Sequence, residues 1–120
     1  MIQYQLLKIT TDGSGDATVT ETRRLTGRIV AVEWGIGTGA AGIDFTLTIT
    51  DTPGGADRTI LTVLNANANK TYYPSVLRQL ATDGSDISGV YSEPIVSGLL
   101  KAVVAQGGAT KTCYLVVYYE

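Results

Sequence analysis

Histidine is absent from this 120-residue sequence, and cysteine occurs only once, as Cys113. Without histidine, the chain cannot form a Ser-His-Asp or Cys-His catalytic apparatus or a histidine-ligated zinc or iron site. A lone thiol excludes an intrachain disulfide and a thiolate-rich metal site. Cys113 lies in an apolar segment, where a free thiol usually packs as a small hydrophobic group. We therefore expect a protein that is not an enzyme and that carries no cofactor.

Carboxylates are the remaining candidates for acid–base catalysis of the glycosidase type. Glu33, Asp44, Asp51 and Glu93 are the residues to consider. Asp44 and Asp51 fall where a polar strand face or a turn explains them, and Glu33 alternates outward between apolar neighbours. Because no nucleophile–base pair can be assembled from these residues, they do not indicate an active site.

Long apolar runs and clusters of like charge are also missing. The longest apolar run, residues 113–119, is far shorter than the roughly 20 residues of a membrane-spanning helix. Nine basic and eleven acidic residues are spread along the chain, and Arg23, Arg24 and Arg28 form the densest basic group. Nucleic-acid-binding domains usually carry a more basic stripe, and secreted proteins begin with a basic and then apolar leader. We expect no nucleic-acid or membrane partner, and synthesis in a cytoplasm.

Alternation of apolar and polar residues is the main signal that the sequence does contain. In residues 43–50 it places Ile43, Phe45, Leu47 and Ile49 on one face and polar side chains on the other. A helix would scatter these apolar residues around its circumference. The pattern predicts a strand with one face in the core and one face in water.

Further segments rich in Val, Ile, Thr, Leu and Tyr are bounded by turn-forming Gly, Asp and Pro. Only residues 75–81 could form a short helix, and an extended conformation fits them equally well. The sequence predicts one all-β domain over residues 1–120, an antiparallel β-sandwich or jelly-roll-like barrel of about seven or eight short strands with at most one short helix. The other predicted strands are 2–11, 16–24, 25–34, 58–64, 91–96, 97–105 and 112–119.

Two segments, 99–105 and 113–119, are apolar on both faces. Strands of this kind lie in the centre of a structure or meet a partner on their outer face. They are the segments in which we expect self-association.

A glycine motif at residues 37–42 matches the spacing G-x-G-x-x-G and follows an apolar strand. The dinucleotide fingerprint must open a helix, whereas these glycines run directly into the strand that begins near Ile43. The segment is better interpreted as a mobile loop of small residues that could become ordered against a partner. The Asp-Gly turns at 12–16 and 83–86 likewise lack the alternating oxygen ligands of a calcium loop.

Paired tyrosines are the remaining feature with a functional interpretation. Consecutive residues of a strand point to opposite faces, so one tyrosine of each pair can pack inward while the other stays available. Such tyrosines could form a protein interface, cover a thin core or bind a sugar. The predicted partner contacts are Gly37, Thr38, Gly39, Asn67, Asn69, Tyr72, Tyr73, Pro74 and Tyr118.

The order and spacing of several strand-and-turn segments resemble small β-rich proteins encoded among the head genes of tailed bacteriophages. These segments are 11–20, 25–32, 44–53, 60–67, 72–74, 93–96 and 99–108. The resemblance implies a virion structural protein, specifically a capsid decoration or cement protein on the capsid exterior. It further implies the phage major capsid protein as partner, self-association as a homotrimer and synthesis in the host cytoplasm. Tail and head-completion proteins share this architecture, and a carbohydrate- or receptor-binding module is the alternative from another class.

Overall fold

Alternating apolar residues and turn-forming glycines divide the chain into ten antiparallel strands and no helix in the computed structural model, which describes residues 1–120. The all-β prediction is confirmed, with more strands than expected. The strands are β1 (Gln3–Thr10), β2 (Ala17–Thr20), β3 (Leu25–Gly35), β4 (Asp44–Thr50), β5 (Arg58–Val63), β6 (Lys70–Tyr72), β7 (Val76–Gln79), β8 (Asp86–Ser92), β9 (Ile95–Ala105) and β10 (Thr112–Tyr119).

Eight of these strands form a bent sheet in the order β1-β10-β3-β9-β4-β5, with β2 added to β9 and β6 added to β3. The bend is made by β3, which is shared between two layers. Its first residues, Leu25 to Arg28, pair with the start of β9, and its later residues pair with β10 and β6. The result is a β-sandwich in which one strand passes from one layer to the other.

Two glycines, Gly27 of β3 and Gly98 of β9, allow β3 to pass from one layer to the other. At both positions the backbone of another segment lies very close. Gly27 and Gly98 both have φ of +153°, a conformation that side chains disfavour. A Cβ on Gly27 would lie 2.6 Å from the carbonyl oxygen of Glu120, and one on Gly98 would collide with the carbonyl oxygen of Thr50. Glycine is therefore required at both positions by the approach of neighbouring strands.

The core between the layers is a cluster of 19 buried residues drawn from both sheets. At its centre the Trp34 ring of β3 stacks on the Phe45 ring of β4, with centroids 4.6 Å apart. The Trp34 indole N–H donates a 3.0 Å hydrogen bond to the carbonyl oxygen of Ala66, so its one polar group is satisfied. The predicted inward residues Ile43, Phe45, Leu47 and Ile49 are all buried.

The prediction that two doubly apolar segments are central is also confirmed. β9 lies between β4 on one side and β2 and β3 on the other, while β10 lies between β1 and β3. Residues 75–81 contain the strand β7, so the extended alternative holds and the helix does not form.

Two of the predicted strands have wrong boundaries. The strand predicted at 16–24 is shorter, because β2 ends at Thr20. The strand predicted at 91–96 is divided between the end of β8 and the start of β9. The break falls beside Pro94, which has no N–H with which to continue a ladder.

The strands β7 and β8 pair only with each other and form a separate two-stranded sheet. We call residues 75–93 the arm and the rest of the chain the body. No residue of the arm is buried, whereas Pro74 and Pro94 at its two ends are. The molecule measures 50 × 29 × 27 Å, and its radius of gyration of 15.1 Å exceeds the roughly 14 Å of a compact chain of this length. The arm therefore projects from the body. No helix capable of crossing a membrane is found.

Candidate partner-binding surfaces

One surface is the outer side of β1 and β10, which we call the tyrosine face and define as Tyr4, Leu6, Tyr114, Val116 and Tyr118. The strand register sets Tyr4 beside Tyr118 and Leu6 beside Val116. Because the alternate residues of both strands point into the core, these side chains point away from it. Tyr4 is 62% exposed and Leu6 51%. The face concentrates exposed aromatic and apolar side chains, and the charged residues Lys8 and Glu33 lie on the same side of the sheet, opposite Tyr114 and Val116.

Tyr118 is held in place within this face. Its ring lies 6.3 Å from the Tyr4 ring at a tilt of 49°, and its hydroxyl donates a 3.1 Å hydrogen bond to Glu33 Oε2. The Glu33 carboxylate, which accepts this bond and repels a phenolate, raises the pKa of Tyr118 together with partial desolvation. Glu33, considered above as a catalytic carboxylate, is used to position a tyrosine.

The second surface is an open cleft of about 570 Å³ where the arm joins the body, which we call the arm cleft. Tyr73 and Ile95 provide large apolar groups there and are 74% and 72% exposed. The body contributes Val30 and Arg28, and the arm contributes Arg78 and Tyr91. The arm cleft combines exposed apolar groups with guanidinium groups.

The positive charges around the arm cleft are unequally paired. Arg28 forms salt bridges with Glu93, at 3.0 Å, and with Glu120. Arg58, which lines a neighbouring open cleft, donates a 2.8 Å hydrogen bond to the carbonyl oxygen of Ile95. Arg78 of the arm cleft has no carboxylate within salt-bridge distance. The arm cleft therefore contains one unpaired guanidinium group, that of Arg78.

The predicted contact loop around Gly37, Thr38 and Gly39 is tied to its own chain. The Thr38 N–H donates to the Thr112 carbonyl at 2.9 Å, and the Thr112 N–H donates to Thr38 Oγ1 at 2.9 Å. Gly37 has φ of +55°, and a Cβ there would collide with the same carbonyl. These bonds correct the expectation of a mobile loop, because they favour one fixed conformation.

Asn67 and Asn69 hold the same end of the molecule together. Asn67 Oδ1 accepts a 2.6 Å hydrogen bond from the N–H of Gly42, and Asn69 Oδ1 accepts one of 2.9 Å from the N–H of Ile36. Asparagine side chains commonly satisfy loop backbone in this way. Asn67 and Asn69 thus bind their own segment to the loop between β3 and β4.

The tyrosine pairs behave as the strand periodicity predicts. Tyr72 packs edge-on against Phe45 at 6.0 Å, whereas its neighbour Tyr73 points to solvent. Tyr119 is buried, whereas Tyr118 lies on the tyrosine face. One tyrosine of each pair therefore supports the core and the other is accessible.

The predicted contact residues lie in four separate places. Gly37, Thr38, Gly39, Asn67 and Asn69 share one end of the body, where they bond to their own chain. Tyr73 and Pro74 are at the arm cleft, although Pro74 is buried, and Tyr118 is on the tyrosine face. Tyr72 belongs to the edge of the core.

Sequence reasoning missed the tyrosine-face residues of β1 and the arm itself. In residues 3–8, apolar side chains occur on both faces of the strand, which was the available signal for an outer apolar surface. The arm was signalled by an Asp-Gly turn at residues 83–84 and by a proline at each end of the segment.

Cys113 is 1% exposed, and desolvation by burial raises the pKa of its thiol to about 11. We expect a thiol reagent at pH 8 to label the folded protein at less than a tenth of its rate on denaturant-unfolded protein, because the thiolate is the reactive form. The raised pKa also means that the thiol's contribution to the free energy of unfolding is fully present below about pH 9 and lost as pH rises through about 11. Rapid labelling of folded protein would contradict the buried placement.

No group of three or more potential metal-ligating side chains is found in the structure. Comparison with known proteins yielded no family model, no curated protein and no solved structure that matches the chain.

Proposed function

We propose that this chain is a non-enzymatic structural protein of a phage virion, a decoration or cement protein on the exterior of the assembled head. Its partners in this proposal are the major capsid protein and further copies of itself, arranged as a homotrimer, and it is made in the host cytoplasm. The tyrosine face is the observation that carries the proposal, and the resemblance of the strand-and-turn segments supports it.

The tyrosine face has the chemistry of a protein-binding surface. Its side chains are apolar or amphipathic, and its Tyr118 hydroxyl donates a hydrogen bond to Glu33. A sheet whose inner face packs the core normally has a polar outer face, so several exposed aromatic and apolar side chains on the outer face favour a partner. Tyrosine is enriched at such interfaces because it combines a large apolar body with a polar tip. The face lies along two strands and borders an open cleft of about 190 Å³ beside Tyr4 and Leu6, a shape that suits another protein surface better than an enclosed small molecule.

Binding to an assembled shell stabilises that shell by mass action. A ligand that binds the lattice and not the dispersed subunits shifts the assembly equilibrium toward the lattice. A homotrimer adds avidity, because the second and third contacts form at a high effective concentration once the first has formed.

The Leu6→Glu substitution tests the proposal. A carboxylate in the centre of the tyrosine face would be buried without a partner on binding, at a cost of about 2 kcal/mol or more. We therefore expect at least a roughly tenfold loss of affinity for expanded capsids in a co-sedimentation assay. Leu6 is half exposed in the free protein, so the thermal unfolding temperature should change little.

The matched control is Leu64→Glu, which makes the same change at a leucine that is 69% exposed and outside the tyrosine face. Its capsid affinity should stay within about twofold of the parent, as for a substitution outside the centre of an interface. Failure of the parent protein to bind capsids, or equal effects of the two substitutions, would contradict the proposal.

A carbohydrate- or receptor-binding module is the second candidate, favoured by the presence of Tyr4, Tyr114 and Tyr118 on one face. The 49° tilt between the Tyr4 and Tyr118 rings gives no shared plane on which a sugar chain could stack. Saturable binding to glycans without capsid binding would favour this candidate. Co-sedimentation with purified tails or connector complexes instead of capsids would favour a tail or head-completion protein.

A further inference from the structure

We infer that the arm is an intersubunit clasp, whose distal part occupies the arm cleft of a second copy of this chain. The inference names the contact by which copies of the chain associate. It rests on the self-association in the proposed function and does not depend on capsid binding. It assigns a single occupant to the arm cleft, namely the segment around Leu80 to Asp86 of a neighbouring molecule.

The first argument is that the arm, beyond the Arg28–Glu93 salt bridge at its base, is not supported by its own chain. Its two strands pair only with each other, and none of its residues is buried. Val76, Leu80, Val90 and Tyr91 are all exposed along it. An isolated two-stranded hairpin is at best marginally stable in water, and exposed apolar side chains add a cost in solvent. The arm therefore needs a surface to pack against.

The second argument is that the distal part cannot reach the arm cleft of its own molecule. The cleft lies at the base of the arm, and Arg78 and Tyr91 of the arm form one of its walls. The strand β7 runs outward from Val76 to Gln79, which at about 3.3 Å per residue carries Leu80 roughly 13 Å from the base. Bringing Leu80 back into the cleft would require the hairpin to break. A second molecule can supply it without distortion.

The third argument is chemical complementarity between the two surfaces. Residues 79–92 contain two carboxylates, Asp83 and Asp86, and no basic side chain. Hydrogen bonds from the Ser85 hydroxyl and N–H to Asp83 lower the pKa of that carboxyl, so it is charged at neutral pH. The arm cleft offers the opposite charge in Arg78, which lacks a carboxylate partner. Electrostatic complementarity of this kind selects partner and orientation.

The apolar groups of the two surfaces match as well. Tyr73 and Ile95 stand exposed in the arm cleft, and Leu80 stands exposed at the end of β7. Removing these side chains from water favours association.

The contact is heterologous, because arm and cleft are different surfaces of the same chain. Each molecule offers its arm to one neighbour and its cleft to another, so the assembly closes as a ring when the rotation between copies permits. Such a ring is compatible with the trimer of the proposed function, and it forms without any capsid.

Engineered cysteines test the clasp directly, because the only native thiol, Cys113, is buried. In the full-length chain, L80C and I95C place one thiol on the arm and one in the cleft. The double variant should give covalent oligomers under mild oxidation, resolved on a non-reducing gel, and the parent should be oligomeric by light scattering. Each single variant alone should stay at the monomer band, whereas an equal mixture of the two should give a covalent dimer.

A second comparison guards against a variant that fails to fold. L80D should shift the parent oligomer toward monomer by at least tenfold in dissociation constant, whereas L64D, at an exposed leucine outside both surfaces, should not. A monomeric parent, an absence of cross-links in the mixture, or equal cross-linking of L80C with itself would overturn the inference. Protection of the arm from proteolysis only when capsids are added would also overturn it and assign the arm to the shell.

The two proposals fail separately. A monomer that still binds capsids would remove the clasp and leave the proposed function. A cross-linked ring that ignores capsids would remove the proposed function and leave the clasp.

Discussion

The Trp34→Ala variant is expected to lose about 3–5 kcal/mol of its free energy of unfolding. Trp34 is fully buried, stacks on Phe45 and donates its indole N–H to the carbonyl oxygen of Ala66. Alanine would remove the stacking, leave a cavity between the two layers and leave the buried carbonyl without its donor. Because domains of this size are stable by only about 5–15 kcal/mol, the variant should be largely unfolded well below the parent's transition temperature. Urea titration followed by far-ultraviolet circular dichroism measures the loss.

Two companion variants separate the contributions of Trp34. Trp34→Phe keeps an aromatic ring against Phe45 but removes the donor to Ala66, so a smaller loss of about 1–3 kcal/mol is expected. Tyr73→Ala removes an aromatic ring that is mostly exposed and should change the free energy of unfolding of the free protein by less than about 0.5 kcal/mol. A Trp34→Ala loss as small as that of Tyr73→Ala would contradict the stacked core.

The Gly98→Ala variant is expected to lose roughly 3 kcal/mol or more, although only one methyl group is added. Gly98 has φ of +153°, and the new Cβ would collide with the carbonyl oxygen of Thr50. The collision cannot be relieved by a side-chain rotation, because the opposing atom belongs to the backbone of β4, which pairs with β9 at this point. Either β9 must move away from β4, or the backbone of β9 must distort where it pairs with β3. Both changes would be measured as a lower midpoint in a urea titration.

Gly13→Ala is the matched control. Nothing lies within 4 Å of a Cβ at Gly13, and its φ is outside the left-handed region. Alanine there should be neutral or slightly stabilising, by up to about 1 kcal/mol, because it reduces the freedom of the unfolded chain. Equal destabilisation by both substitutions would show that the close approach at Gly98 is not the cause.

The alternation of apolar and polar residues correctly predicted the strands whose burial follows from residues close to them in the sequence. The alternation from Ile43 to Ile49 identified a buried face, and the doubly apolar segments within β9 and β10 were correctly expected in central positions. In β4 the alternation itself reports burial, because its apolar residues occur only on the face that meets the core.

The crossing of β3 and β9 could not be predicted in the same way. Gly27 and Gly98 are separated by more than half of the chain, and the need for glycine arises from the carbonyl groups of Glu120 and Thr50. Such a requirement is set by the tertiary approach of distant strands, which local sequence does not contain. The break at Pro94, by contrast, had a local signal in the missing N–H.

The candidate surfaces were only partly accessible from the sequence. Tyr118 and Tyr73 could be identified from their pairing with inward-facing tyrosines, since strand geometry separates neighbours onto opposite faces. Gly37 to Gly39 were predicted as contacts because a loop of small residues is flexible. In the structure, hydrogen bonds between Thr38 and Thr112 hold this loop to its own chain. The arm was missed because its projection depends on the absence of contacts, which no residue type encodes.

The position of β10 has a consequence for how the protein is made. The last strand of the chain lies between β1 and β3, and most of its length pairs with both of them. Until residues 112–119 have been synthesised and can pair, β1 lacks its only hydrogen-bonded neighbour. Long-range pairing of this kind slows folding and exposes unpaired strand edges in the meantime. The edge of β1 is therefore open to incorrect pairing for as long as β10 is not in place.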